Sequence, residues 1–337
     1  MAPSIGFSNT HAHIHLCRSE KEHLRSSFTR LLAEATPQSD KELWELLRRQ
    51  PLALPSLQAS LRSLVAEPGC SHGLITNLPL DPSLPAPPSD GVRPAGKSWL
   101  TESIGLQLLQ AGGLEPLGFL EEKGGALVHE VSPAAGRAGE LSSSGRVALG
   151  WHTDLAILKK AWRPEVLLLL GLHNDGATPT LLADLDEALI ALRQRDPALV
   201  EVLREPRFRV ESPASLHLWG GGKSLRSEPR PLLSIDPSGL DTIAANLQTL
   251  TPTDQEAQRA LEALQAVLPE VTRPIVVGPG QALLFSNSRC LHGRPALQRG
   301  RRWLQRLYGR RSLRELREVT GSPPETLVFS LAGLILR

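Results

Sequence analysis

Val166 to Leu172 is an unbroken apolar run, Val-Leu-Leu-Leu-Leu-Gly-Leu, and no other stretch of the 337-residue chain constrains its fold as tightly. The run is far too short to cross a membrane, which takes roughly 20 apolar residues. A strand without polar alternation has to be covered on both faces, so the chain needs a central strand with a layer on each side. Further strand patterns lie at Gly73 to Asn77, Ala126 to Val131, Arg146 to Asp154, Thr180 to Leu182, Leu232 to Asp236, Pro274 to Val277 and Ala282 to Phe285. Helical spacing marks residues from about Lys21 to Leu64, then Trp99 to Ala111, Asp184 to Arg193, Pro197 to Leu203 and Thr253 to Leu268, the last with Thr253 as its cap. The Pro-rich stretch Leu78 to Pro94 sustains neither helix nor central strand and reads as an exposed connection. Arg207 to Lys223, which contains Gly220-Gly221-Gly222, reads as a mobile loop, and a lid is expected around 207–229.

Composition narrows the class of protein. With 41% hydrophobic and 21% charged residues the chain has ample material for a core. The formal net charge of +2 gives no global field for nucleic acid or a membrane, and the Arg-rich segment Arg299 to Arg317 reads as a solvated face. Cys17, Cys70 and Cys290 show no CxxC spacing and read as reduced thiols, so a cytoplasmic protein is expected. The expected organisation is one catalytic domain over 1–337. Within it, 1–95 form an N-terminal helical layer and the Pro-rich connection, and 118–311 form the core with inserted helices.

The chemistry concentrates at Gly150-Trp151-His152-Thr153-Asp154. Residues i and i+2 of a strand project from one face, so His152 and Asp154 present an imidazole and a carboxylate side by side. Two His and one carboxylate with open positions is the ligand set of non-haem Fe(II) oxygenases. His292, on a strand end beyond the Gly278-Pro279-Gly280 turn and followed by Gly293, has the setting of a distal ligand. The turn Gln298-Arg299-Gly300 folds the next strand back beside it and brings Arg306 to the level of the metal, where its guanidinium can pair bidentately with a carboxylate. Positions 302, 304, 306, 308 and 310 share a strand face, so Arg310 is expected to point into the same cavity. A second metal reading attaches to His11-Ala12-His13-Ile14-His15, whose alternate imidazoles resemble the HxH of amidohydrolase-type zinc enzymes; the plainer reading is a polar N-terminal strand.

Taken together, His152-Thr153-Asp154, the NxRxxHGR pattern from Asn287 to Arg294 and the RWLxR pattern from Arg302 to Arg306 resemble the clavaminate synthase-like branch of the Fe(II)/2-oxoglutarate dioxygenases, related to the taurine dioxygenase group. The resemblance spans roughly Gly118 to Arg311. It implies a mainly β chain with flanking helices around a double-stranded β-helix, or jelly roll, holding Fe(II) by His152, Asp154 and His292. It also implies that Arg306 binds the distal carboxylate of 2-oxoglutarate, assisted by Thr180, and that Arg310 holds a substrate α-carboxylate. The carboxylate ligand is Asp154 where many members with free amino-acid substrates carry Glu. Further pocket candidates are His129 and Glu130 on the preceding strand, Ser142 and Ser144 before the ligands, and Asp236 after the expected lid; each also reads as a residue satisfying backbone groups.

The implied reaction consumes 2-oxoglutarate and O2, releases succinate and CO2, and hydroxylates an unactivated C–H bond of a free or carrier-bound amino acid or related small metabolite in specialised metabolism. No nucleic-acid or membrane partner is expected. The alternatives are desaturation or cyclisation of another metabolite at the same iron site, a zinc hydrolase built on His11 and His13, or a catalytically silent binding module.

Overall fold

A computed structural model describes all residues except 1–4, 9–10, 51–52, 68–69, 213–223 and 299. The apolar run becomes the strand Val166–Asn174, with all but His173 buried. It lies between two antiparallel neighbours, Ala282–Ser286 on one side and Arg302–Arg310 on the other. Val128–Val131 and Glu115–Phe119 pair with Arg302–Arg310 beyond it. His72–Thr76 and then His11–His15 extend the sheet past Ala282–Ser286. A second sheet runs in the order Thr272–Ile275, Thr180–Asp184, Cys290–Arg294, Leu149–His152. From residue 128 to 310 the chain passes between these two sheets, and its antiparallel strands bring the ends of distant segments together.

The glycine inside the leucine run has a packing reason. A Cβ at Gly171 would sit 2.1 Å from the carbonyl oxygen of Gly278, so the Gly278-Pro279-Gly280 turn closes directly against the central strand. That turn starts Ala282–Ser286 in the register that leads to His292.

The helix Leu100–Ala111 has all but one of its residues buried and packs on Val166–Asn174 and Arg302–Arg310. Arg18–Glu34, Asp40–Leu47 and Pro55–Ala66 in turn pack on that helix. On the small sheet, Leu185–Arg195, Pro197–Leu203 and Gln255–Val271 pack on one another around a separate apolar core. The last of these is capped by Asp254, whose carboxylate accepts from the Ala257 amide at 2.9 Å; Thr253, the expected cap, instead donates to Asp254. Either residue type can cap, and the backbone places Asp254 at the turn. Of the expected lid, 213–223 lie outside the described residues. The flanks form a paired stem in which Ser212 and Leu225 exchange hydrogen bonds and Glu211 meets Arg226 at 2.7 Å.

Two further expectations change. The N-terminal helical layer is interleaved with the strands Ile5–Ser8, His11–His15 and His72–Thr76, which join the large sheet instead of standing apart from it. The Pro-rich connection is partly packed. The amide of Leu78 donates to Gly280, and Ser132 donates to the Pro88 carbonyl. Just beyond it, Lys97 is buried between Glu102 at 2.6 Å and Glu130 at 3.5 Å. Glu130 also accepts from Trp303 Nε1 at 2.6 Å and Gln305 Nε2 at 3.1 Å. Losing one partner of a buried ionic group costs about 3–5 kcal/mol because the others stay uncompensated. Glu130→Ala is therefore expected to lower the unfolding free energy by about that amount, read from the denaturant midpoint. A variant as stable as the native chain would remove the structural role assigned to this cluster.

Candidate active site

His152 ends its strand directly opposite His292 in the antiparallel pairing of Leu149–His152 with Cys290–Arg294, so two segments 140 residues apart deliver imidazoles whose ring centroids lie 4.1 Å apart. His152 Nδ1 donates to the Gly150 carbonyl at 2.8 Å, which leaves Nε2 free to act as a ligand. Nε2 of His152 and of His292 lie 3.4 and 3.6 Å from the same oxygen, Asp154 Oδ1. Among the described residues this is the one group of three metal-ligating side chains, with donor atoms all within 4.8 Å of one another. Burial and the neighbouring His152 push His292 down to about 3, which keeps its imidazole neutral as a ligand must be.

Asp154 is gripped on its other side. Oδ2 accepts from Arg306 Nη1 at 2.8 Å and from the Tyr308 hydroxyl at 2.9 Å. Burial would raise the Asp154 carboxyl, but Arg306 and the two imidazoles outweigh it and hold it well below the usual carboxylate range. The backbone of Asp154 is clamped by Asn287, which accepts from its amide at 2.8 Å and donates to its carbonyl at 2.9 Å. The asparagine of the NxRxxHGR pattern thus sets the position of a ligand from a different segment.

Arg306 is the centre of a buried polar group. Nη2 donates to His129 Nδ1 at 2.8 Å, and Nε2 of His129 faces the Ala126 carbonyl at 3.0 Å. Burial, then Arg306, pushes His129 far down, so the imidazole is a neutral acceptor that orients the guanidinium. Glu122 lies 3.4 Å from Arg306 and 3.1 Å from the Tyr308 hydroxyl, whose one proton it shares with the nearer Asp154; burial raises its carboxyl against the pull of Arg306. Neither Glu122 nor Tyr308 was assigned a role from sequence. Tyr308 shares the strand face of Arg306, which was a usable signal, whereas Glu122 in Glu121-Glu122-Lys123-Gly124-Gly125 looks like part of a solvated turn.

A narrow cavity between the sheets is lined by His152, Thr180, His292, Arg302 and Arg306 among others. Thr180 Oγ1 and the Nε atoms of Arg302 and Arg306 are sealed from solvent without a hydrogen-bond partner among the described residues. Buried polar groups left unpaired are costly and point to a missing partner. Two guanidinium groups and a hydroxyl beside a 2-His-1-carboxylate set fit an iron ion with a dicarboxylate, and His152, Asp154, His292, Arg306 and Thr180 are the residues that would hold them.

The other sequence candidates lie elsewhere. Arg310 lines a different, larger cavity, donating to the Arg163 carbonyl at 2.5 Å and meeting Glu165 at 3.2 Å. Glu130 alternates with His129 along the strand and belongs to the Lys97 cluster. The Ser142 and Ser144 carbonyls accept from Arg294 and the Ala134 amide, so these residues shape the loop before the ligands. Asp236 is half-buried, borders the same cavity as Arg310, and closes its own turn through Ser238 and Leu240. At the N-terminal histidines, His11 stacks on His72 and faces Arg273 at 2.9 Å, while His13 and His15 share Thr76. Among the described residues no metal-ligating group of three forms around them, and the zinc-hydrolase reading gains no support there.

A family model described as "Taurine catabolism dioxygenase TauD, TfdA family" matches residues 103–308. The chain is 30% identical over 312 residues to an L-asparagine oxygenase of Streptomyces coelicolor, covering 90% of each. It is 27% identical over 312 residues to an enduracididine beta-hydroxylase of Streptomyces hygroscopicus, covering 81% of this chain and 84% of that one. Among solved structures, an asparagine oxygenase in complex with Fe(II), 2S,3S-3-hydroxyasparagine and succinate superposes with a TM-score of 0.82 at 25% identity, covering 94% of this chain and 99% of that one.

Proposed function

The chain belongs to the TauD/TfdA dioxygenase family, and from that premise we propose that it hydroxylates an unactivated C–H bond of an amino acid, free or carrier-bound, in specialised metabolism. Fe(II), 2-oxoglutarate and O2 are the cofactor and cosubstrates, with succinate and CO2 as co-products. The observation that carries the reading is the convergence of His152, His292 and Asp154 Oδ1, with Arg306 on the opposite oxygen of the same carboxylate. The bound iron supplies O2 activation coupled to oxidative decarboxylation of 2-oxoglutarate. The chain's own residues do the positioning: His152 and His292 present neutral nitrogen donors, Asn287 and Tyr308 fix Asp154, and His129 aims Arg306 at the distal carboxylate.

Arg306 can leave Asp154 for a cosubstrate carboxylate, because Tyr308 and the Asn287 clamp still hold the ligand in place. Glu122 then remains a buried carboxylate in need of a cation, a suitable partner for an α-ammonium group. Arg310 is our candidate for the α-carboxylate, reached by releasing the Arg163 carbonyl. We read the two sheets as the walls of a double-stranded β-helix and the span 1–337 as one catalytic unit, a reading supported by the core that runs from Ala12 to Leu334. Cytoplasmic placement rests on the free thiols of Cys17, Cys70 and Cys290; no helix among the described residues is long and apolar enough to cross a membrane.

The test is succinate release from Fe(II)-loaded enzyme with 2-oxoglutarate and a panel of amino acids, with products weighed for the gain of one oxygen atom. At least one amino acid is expected to raise succinate formation above the unstimulated rate and to gain that oxygen. If none does while 2-oxoglutarate still binds, the amino-acid reading is wrong.

A further inference from the structure

We propose that Glu121 is a positioning residue of the substrate site: by gripping the helix Leu331–Ile335 it fixes the backbone from which its neighbour Glu122 presents a carboxylate to the substrate ammonium group. The inference rests on Glu122 as the ammonium partner in the reading above, and it adds the residue that aims it.

Two glutamates stand side by side just after the strand Glu115–Phe119, and their surroundings give them different tasks. Glu121 is buried, and its carboxylate is fully engaged by a segment more than 200 residues away. Oε1 accepts from the Ser330 hydroxyl at 2.9 Å and from the Ala332 amide at 3.0 Å, and Oε2 accepts from the Leu331 amide at 2.7 Å. The first amides of a helix have no partner inside it, and a carboxylate placed there also meets the positive end of the helix dipole. Ser330 completes the cap by accepting from the Gly333 amide at 3.0 Å. Glu122, in contrast, reaches into the site, where its only close groups are Arg306 and the shared proton of Tyr308.

The whole turn is built on the same segment. Val328–Phe329 pairs in parallel with Gly118 and Phe119. The Gly118 amide donates to the Leu327 carbonyl and the Leu120 amide to the Phe329 carbonyl, each at 2.9 Å. Residues 118, 120 and 121 are thus all fastened to 327–332, and Glu122 comes next. Beyond Glu122 the chain returns to the same place: at Gly125, where φ is +81°, a Cβ would come 2.8 Å from Val328 Cγ1. The Glu122 amide donates to the Phe119 carbonyl at 2.9 Å and its carbonyl accepts from the Gly125 amide at 3.0 Å, so its backbone is pinned at both atoms.

The far end of the helix touches the metal side of the site. Leu331 and Leu334 are buried in the main core, and Ile335 packs against the small apolar cluster of Ala156, Ile157, Val210 and Ala244. Ala156 and Ile157 belong to the loop that follows the ligand Asp154. The helix therefore braces the Glu122 turn against the loop that leaves the metal ligand. An ammonium group held by Glu122 can present a C–H bond to the iron only if that separation is fixed, and a displacement of about 1 Å costs on the order of a hundredfold in rate.

The test uses the full-length Fe(II) enzyme with 2-oxoglutarate and the standard L-amino acids as probes, with anaerobic calorimetry beside succinate release. Kinetics are taken on the amino acid of that panel that gives most succinate. Glu121→Gln keeps the size of the side chain but sets an NH2 group against backbone donors. It is expected to raise the KM for the amino acid about tenfold while kcat stays within about threefold. The KM for 2-oxoglutarate stays within about threefold, because Asp154 and His129 hold Arg306 independently, and the metal-induced rise in melting temperature is unchanged. Ser330→Ala removes one of the three donors and raises the KM for the amino acid about threefold, which keeps the proposal testable if Glu121→Gln fails to fold. Glu122→Gln alone also raises that KM, and adding Glu121→Gln to it brings no further rise, since Glu121 acts through Glu122. An unchanged KM in folded Glu121→Gln and Ser330→Ala overturns the proposal. So does an equal rise for 2-oxoglutarate, which marks general loosening, or a full further rise on top of Glu122→Gln. If Glu122→Gln leaves the KM unmoved, the ammonium assignment and this inference fall while the hydroxylase reading stands. If no amino acid stimulates succinate release while calorimetry records 2-oxoglutarate binding, the amino-acid reading itself falls and takes the inference with it.

Discussion

Alanine at His152 or at His292 is expected to bring substrate-stimulated succinate release down to background and to abolish metal-dependent stabilisation of the fold. Both imidazoles point Nε2 at Asp154 Oδ1, from 3.4 and 3.6 Å. Deleting either leaves two donors, too few to hold Fe(II) in a site that must also keep positions open for cosubstrate and O2. The second readout is independent of turnover. A ligand present at a hundred times its Kd stabilises the native state by about 2.7 kcal/mol, so Fe(II), or Mn(II) under air, raises the melting temperature of the native protein and leaves the variants unmoved. His292 sits in the sheet next to Phe285, with ring centroids 5.0 Å apart. Some loss of stability without metal is therefore expected in His292→Ala, and the comparison is the metal-induced shift within each variant. Retained turnover in either variant would refute the ligand set.

Arg306→Ala should show a double effect. With 2-oxoglutarate absent, Arg306 separates two buried carboxylates, Asp154 at 2.8 Å and Glu122 at 3.4 Å. Removing the cation leaves them facing each other, at a cost of about 3–5 kcal/mol in stability. With 2-oxoglutarate bound, the loss is a bidentate pair of charge-assisted hydrogen bonds worth about 1.5–3 kcal/mol each, so the KM for 2-oxoglutarate rises on the order of a hundredfold or more. Arg306→Lys separates the two roles. It keeps the charge between Asp154 and Glu122 and so recovers most of the stability, but it lacks the planar fork and leaves the cosubstrate requirement high. A normal requirement for 2-oxoglutarate in Arg306→Ala would remove the anchor assignment.

What could be read from the chain was what depends on short-range pattern. Val166 to Leu172 announced a strand covered on both faces, and the two-residue spacing of His152 and Asp154 announced a shared site. What could not be read depends on how strands end and which neighbours bury them. Strand alternation lets only one of His129 and Glu130 face Arg306; sequence named both, and Glu130 faces the Lys97 cluster instead. Arg310 shares a face with Arg306 along the strand, but at the strand's last residue its side chain meets the Arg163 carbonyl and Glu165 rather than the ligands. Glu122 stands in a charged, glycine-rich turn, and its burial comes from Tyr308 and Arg306 arriving from a strand more than 180 residues later. Thr253 and Asp254 can both cap a helix, and the cap falls on Asp254, the stronger of the two residue types.

The Asn287 clamp bears on how such an enzyme can change. One amide side chain fastens residues 154 and 164, so the segment between them is a cassette with fixed ends. Within it Leu155, Leu158 and Trp162 are buried in the main core, while Lys159 and Lys160 are exposed and can vary without disturbing the clamp. The position of the Asp154 carboxylate is thereby tied to a side chain more than 130 residues away and is insulated from changes at those exposed positions.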